Sequence, residues 1–176
     1  MHGPSSQQQG CSMKMFLSAA MVLAIAPVLV PATASAQQQS FSAPSKDDVV
    51  SRMFVWWNAA FKDPEGFTPQ AFGRYFTEDA VMRINGTNRA KGLTDLAARF
   101  RMIQKSVDAV EIKVPFVEAF SSPDGSKIFT YHLEEAVEKG KPSHSMVMGY
   151  AEIRDGKIAL INFLSMEGQP GPVAGK

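Results

Sequence analysis

In the run IFTYHLEEA, His132 and Glu134 are the pair in this chain best suited to moving a proton. Residues two apart on a strand share a face, so Thr130, His132 and Glu134 would project together. On a cavity wall, the imidazole could shuttle a proton while the carboxylate orients or activates it. On the outside, the same residues would be a surface histidine and a solvated acid. Asp79 is the third catalytic candidate, in support of His132. Its place at a helix-to-strand turn equally suits backbone capping. His144, just after Pro142, is expected at a rim or in solvent.

Other residues could hold a ligand. Arg83, on a β-patterned segment, could grip a carboxylate, enolate or phosphate-like oxygen, or form an external salt bridge. Asn162 interrupts the apolar run IALINFLSM, where a buried amide needs partners and a ligand carbonyl could be one. Trp56 and Trp57 could wall an aromatic pocket. Tyr75 and Tyr131 offer hydroxyls, and Met148 a soft, adaptable apolar surface. The wealth of Met and Phe suits such a pocket as well as an ordinary core. The histidines lack metal-ligand clustering and no Gly-rich phosphate loop follows a strand, so neither metal nor nucleotide cofactor is expected.

The elements that must position these residues follow from periodicity. Ser45 reads as an N-cap with Asp48 as its capping-box partner, opening a helix from Lys46 to about Lys62. Val49, Met53, Trp57 and Ala60 or Phe61 form its apolar stripe, broadened by Val50 and Phe54. Thr68-Pro69 starts a short helix to Tyr75. Ala80–Asn85 reads as a strand, Gly86-Thr87-Asn88 as a turn, and Leu93–Lys105 as an amphipathic helix with Leu93, Leu96, Ala97, Phe100 and Ile103 on its apolar face. Asn85-Gly86-Thr87 also matches a glycosylation acceptor. Strand-like runs follow at 108–120, interrupted by Pro115, and at 127–138, 144–154 and 157–166. Asp155-Gly156 is a hairpin signal. Short connections favour antiparallel neighbours, and the whole reads as one α+β domain with room for a cavity.

The chain has 176 residues, with 18 Lys and Arg against 17 Asp and Glu, so no basic stripe favours nucleic acid. From Met13, a basic Lys14, an apolar run from Phe16 to Val30 and Ala34-Ser35-Ala36 read as a cleaved signal peptide, with periplasmic or secreted localisation and no stable membrane insertion afterwards. The expected organisation is residues 1–36 upstream and signal, 37–45 linker, 46–168 domain and 169–176 flexible tail. Cys11 precedes the domain, which rules out an intramolecular disulfide and a cysteine nucleophile within it.

Trp56-Trp57-Asn58-Ala59-Ala60-Phe61, Phe76-Thr77-Glu78-Asp79-Ala80-Val81, Gly92 and Asp155-Gly156-Lys157-Ile158 carry a resemblance to the NTF2-like superfamily, its SnoaL-like branch above all. That resemblance spans about Lys46 to Glu167. It implies a cone-shaped, curved mixed sheet packed against three N-terminal helices around a deep pocket, often in a homodimer. It also implies a wide range of activities, among them isomerases, cyclases, dehydratases, epoxide hydrolases and noncatalytic binders. The positions matching the isomerase base hold Ile84 and Asn85. Its oxyanion tyrosine falls near Met53, and its late-strand acid near Gly149 or Tyr150. The first expectation is therefore an exported protein binding a small hydrophobic or aromatic ligand. The alternative is an isomerase, cyclase or dehydratase working by His/carboxylate acid–base catalysis. A homodimeric assembly module is compatible with both.

Overall fold

The structure, a computed structural model, describes residues 48–171. The expected signal peptide, the linker, Ser45 and the end of the tail lie outside the described residues.

Helix α1 spans Val49–Ala60, later at its start and shorter at its end than the sequence predicts. Asp48 is itself the cap, not the partner of one. Its Oδ1 accepts from the Val50 and Ser51 amides at 2.8 and 3.0 Å, and its Oδ2 from the Ser51 hydroxyl at 2.6 Å. A short acceptor just ahead of the first turn satisfies two amides that no carbonyl of the helix can reach. The buried stripe is Val49, Val50, Met53, Phe54, Trp57 and Ala60. Helix α2, Pro69–Phe72, is capped by Thr68 as expected but stops three residues before Tyr75.

Strand β1 runs Phe76–Ile84, starting well before Ala80. Strand β2, Thr87–Lys91, follows and pairs antiparallel with β1, so Thr87 and Asn88 belong to a strand and not to the expected turn. The turn is confined to Asn85 and Gly86, both at positive φ. The Asn85 amide is engaged by Ser165, accepting from its backbone N at 2.9 Å. Helix α3, Gly92–Ser106, begins at a glycine with φ of +80°. A Cβ there would stand 3.0 Å from the Glu78 carbonyl oxygen, so glycine is needed both for its conformation and for the close approach. Helices α1 and α2 precede the first strand, and α3 lies between β2 and β3.

A cis Val114–Pro115 bond divides the long run into β3, Ala109–Ile112, and β4, Glu118–Ser121. Strand β5 is Lys127–Glu138, β6 Lys141–Arg154 and β7 Lys157–Glu167. Strand β6 starts three residues before His144, because the turn is made by Lys139 and Gly140, both at positive φ. Asp155 and Gly156 make the expected hairpin, also at positive φ.

The sheet is curved and unclosed, in the order β2-β1-β7-β6-β5-β3, with β4 also on β5. Strands β5, β6 and β7 pair antiparallel, whereas β1 lies parallel to β7, which makes the sheet mixed. The helices cover one face. Phe67 and Phe72 stack at 5.8 Å, and Phe72 and Phe100 at 5.5 Å, joining α2 to α3. Gln104 donates to the Phe61 and Asp63 carbonyls at 2.7 and 2.9 Å, tying α3 to the C-terminal end of α1 and the turn after it.

Candidate binding cavity

A cavity of about 200 Å³ lies between α1, α3 and the helix-covered face of the sheet. Burial divides its lining into two zones. Met53, Phe54, Trp57, Phe76, Met82, Ile112, His132, Val147 and Phe163 are buried and form an apolar floor around one imidazole. Ile84, Arg99, Ile103, Val110 and Glu134 are half-buried and, with the exposed Ser165, form the rim. Strand alternation explains the sheet's share. Residues 132 and 134 of β5, 147 of β6, 163 and 165 of β7 and 82 and 84 of β1 all point to one side.

His132 is 1% exposed. Its ring lies 5.0 Å from Phe54, 5.5 Å from Phe116 and 5.7 Å from Phe163 between centroids. Burial among these rings lowers its pKa to about 4, so the imidazole is neutral at physiological pH. Its Nδ1 stands 3.3 Å from the Thr130 hydroxyl. The hydroxyl is therefore the polar neighbour of that ring nitrogen. Gly149 makes room for it, since a Cβ there would run into Thr130 Oγ1 and come within 3.1 Å of the Phe163 ring. Glu134 reaches the same cavity at its rim, where burial raises its carboxyl pKa.

Two polar atoms of cavity-lining residues lack partners. Among the described residues, Trp57 Nε1 and Arg99 Nε are buried without a hydrogen bond. Both are donors. Arg99 was missed in the sequence, although a signal was there. It stands three residues after Leu96 and four before Ile103, on the apolar face of α3. A half-buried arginine on that face brings a charged donor to the cavity rim.

The remaining predicted residues divide sharply. Trp57 lines the cavity, whereas Trp56 stacks on Tyr75 at 5.1 Å, with the Arg74 guanidinium 5.3 Å from its ring. Trp56 and Tyr75 therefore form an outer aromatic layer and not the pocket wall. Asp79 is exposed and ion-paired with Arg154, away from the cavity. Arg83 is exposed and donates to Asn88 Oδ1 at 2.8 Å across the β1–β2 hairpin. Tyr131, Met148 and Asn162 lie on the opposite face of the sheet by alternation, and Met148 pairs with both Tyr131 and Leu164 in register. The Asn162 Oδ1 is buried and unpartnered there, so the amide is unusual in its burial but does not face the cavity. His144 is outside it too, with Nδ1 4.0 Å from Glu135. One-residue parity decides all of these strand placements.

Among the described residues, no three His, Cys, Asp or Glu side chains cluster as a metal site. No helix among them is long and apolar enough to cross a membrane.

No family model matches the chain, and no curated protein matches it in sequence. Solved structures do match in fold. An NTF2-like protein of unknown function from Exiguobacterium sp. superposes with a TM-score of 0.57 at 17% identity, covering 67% of this chain and 98% of its own. A hypothetical protein with a ketosteroid isomerase-like fold from Catenulispora acidiphila, in complex with trimethylamine, gives 0.53 at 16% identity, covering 68% and 85%. A SnoaL-like polyketide cyclase from Jannaschia sp., so described without an established activity, gives 0.53 at 10% identity, covering 66% and 82%. The chain has the NTF2-like fold. At these identities the likeness extends to the fold alone, and the same fold houses different chemistries.

Proposed function

We propose that this domain binds a small, largely apolar molecule in the cavity beneath α1 and α3. The observation that carries the reading is the combination of an apolar floor with buried, unpartnered donors on Trp57 and Arg99. A packed core leaves few such groups without partners, whereas a ligand site keeps them for its occupant. Native mass spectrometry of the purified domain, before and after incubation with a panel of aromatic and aliphatic molecules, tests it. A retained or acquired small molecule that is lost on Phe163→Trp, which fills the floor, supports the reading. Absence of binding across the panel overturns it.

A second reading, acid–base catalysis on a small hydrophobic substrate, is favoured by one observation: a neutral imidazole in the cavity lining. His132 would accept the proton, with Glu134 at the rim as the available acid and Thr130 holding the ring. The test is deuterium uptake α to the carbonyl of 1-tetralone in D2O. His132-dependent uptake supports catalysis; uptake unchanged in His132→Gln removes it.

Export belongs to the same proposal and rests on the Lys14, Phe16–Val30 and Ala34-Ser35-Ala36 pattern. Expression from Met13 in a bacterium, followed by fractionation and N-terminal sequencing, should place a chain beginning at Gln37 outside the cytoplasm. An unprocessed cytoplasmic chain would remove it.

A second copy of the chain is the proposed partner of the outer sheet face. Phe120, Phe129, Met148, Leu164 and Met166 are all exposed there, and the pairs Phe120–Phe129, Met148–Leu164 and Met146–Met166 are adjacent in register. Contiguous exposed apolar surface of this kind marks interaction sites.

A further inference from the structure

We propose that the ligand carries a carboxylate, held at the cavity mouth by Arg99 with its apolar body on the floor. The inference rests on the binding reading above and names the ligand's class. Two donors of the cavity-lining residues, Arg99 Nε and Trp57 Nε1, are buried without an acceptor. A ligand that matches them must bring lone pairs, and a guanidinium is matched best by a planar anion. A neutral apolar ligand would bury the Arg99 donor unsatisfied, at a cost that a carboxylate removes.

The charged groups around Arg99 agree. Glu134 lies across the mouth on β5, while α3 packs over β1 and β2, and the two residues form no ion pair. Burial favours the neutral form of Glu134, which limits its repulsion of an anion. Asp95, one turn earlier on α3, accepts from the Lys91 amide at 3.3 Å and is not paired with Arg99. Arg89 on β2 is near enough to act on Arg99 electrostatically, adding to the positive potential. A guanidinium keeps its charge at physiological pH even when burial opposes it. Among the described residues Arg99 forms no ion pair, and its charge stands at the mouth above an apolar floor.

The volume limits the body to about one substituted ring, so 3-phenylpropanoate and the uncharged 3-phenylpropan-1-ol are suitable matched probes. Calorimetric titration of the purified protein should show the acid binding about tenfold or more tightly than the alcohol, as a charged hydrogen bond requires. In Arg99→Met the ratio of the two affinities should fall towards one. In Arg99→Lys, which keeps the charge but loses the fork, part of the preference should survive. Equal binding of acid and alcohol to the unaltered protein overturns the carboxylate inference and leaves the pocket reading standing. A preference that persists in Arg99→Met overturns the role of Arg99. Failure of both probes to bind overturns the carboxylate inference, while the wider panel decides the pocket reading. The unaltered protein alone decides the first outcome, so a poorly folding variant does not shield the inference.

Discussion

Asn58 binds the peptide of Ile112 from both sides: its Nδ2 donates to the Ile112 carbonyl at 2.7 Å and its Oδ1 accepts from the Ile112 amide at 3.0 Å. One side chain thereby fastens α1 to β3, the strand that contributes Ile112 to the cavity floor and Val110 to its rim. Strand β3 is only four residues long, and among the described residues no strand pairs with its other edge. Asn58→Ala leaves both backbone groups half-buried without those partners. It should cost roughly 1–3 kcal/mol in urea unfolding, with hydrogen exchange quickening first in β3. A change below a few tenths of a kcal/mol would show that water replaces the amide freely.

Gly149→Ala inserts a methyl group where Thr130 Oγ1 and the Phe163 ring already stand. The added carbon must displace either the hydroxyl beside His132 or part of the floor. Overpacking of this kind costs on the order of 1–3 kcal/mol, read as a lower urea midpoint at constant slope. The double variant Thr130→Ser/Gly149→Ala keeps the hydroxyl near the new methyl and should remain destabilised. Thr130→Gly/Gly149→Ala removes the obstructing oxygen and should relieve the clash with it.

His132 makes stability depend on pH. Its folded pKa of about 4 is below its ordinary value of 6.5, so the unfolded chain takes up the proton first as pH falls. Stability is therefore full above about pH 6.5 and lost progressively towards pH 4. With about 1.4 kcal/mol per pKa unit, the loss is roughly 3 kcal/mol. Glu134, whose folded pKa is raised, acts oppositely: its contribution is present at low pH and lost as pH rises through the carboxylate range. Comparing urea midpoints of the unaltered protein and His132→Leu from pH 7 to 4.5 should show the acid loss shrinking in the variant. Equal pH profiles would mean that His132 titrates normally.

Met148→Lys together with Leu164→Lys places two charges side by side on the outer face, where the native side chains are 62% and 57% exposed. Sedimentation should shift from dimer to monomer with little change in monomer stability, because neither residue is in the core. A protein that already sediments as a monomer would remove the second copy as partner.

The sequence by itself determined the local elements whose signals are local. Thr68-Pro69 opens α2, Lys127–Glu138 forms β5, Asp155-Gly156 closes a hairpin, and the motifs around Trp57, Phe76 and Gly92 point to the fold. It also paired His132 and Glu134 on one face, because alternation is a property of the strand alone. Tertiary structure decided which face that is. Both sides of β5, β6 and β7 carry apolar residues, so Tyr131, Met148 and Asn162 looked as suitable as His132 until helices covered one side. It also decided that the Thr130 hydroxyl stands beside the imidazole, and that Asp79 meets Arg154 from the far end of β6. Arg99 needed both levels. Its helical spacing puts it on the apolar face of α3, but only packing against the sheet turns an arginine on that face into a buried donor without an acceptor.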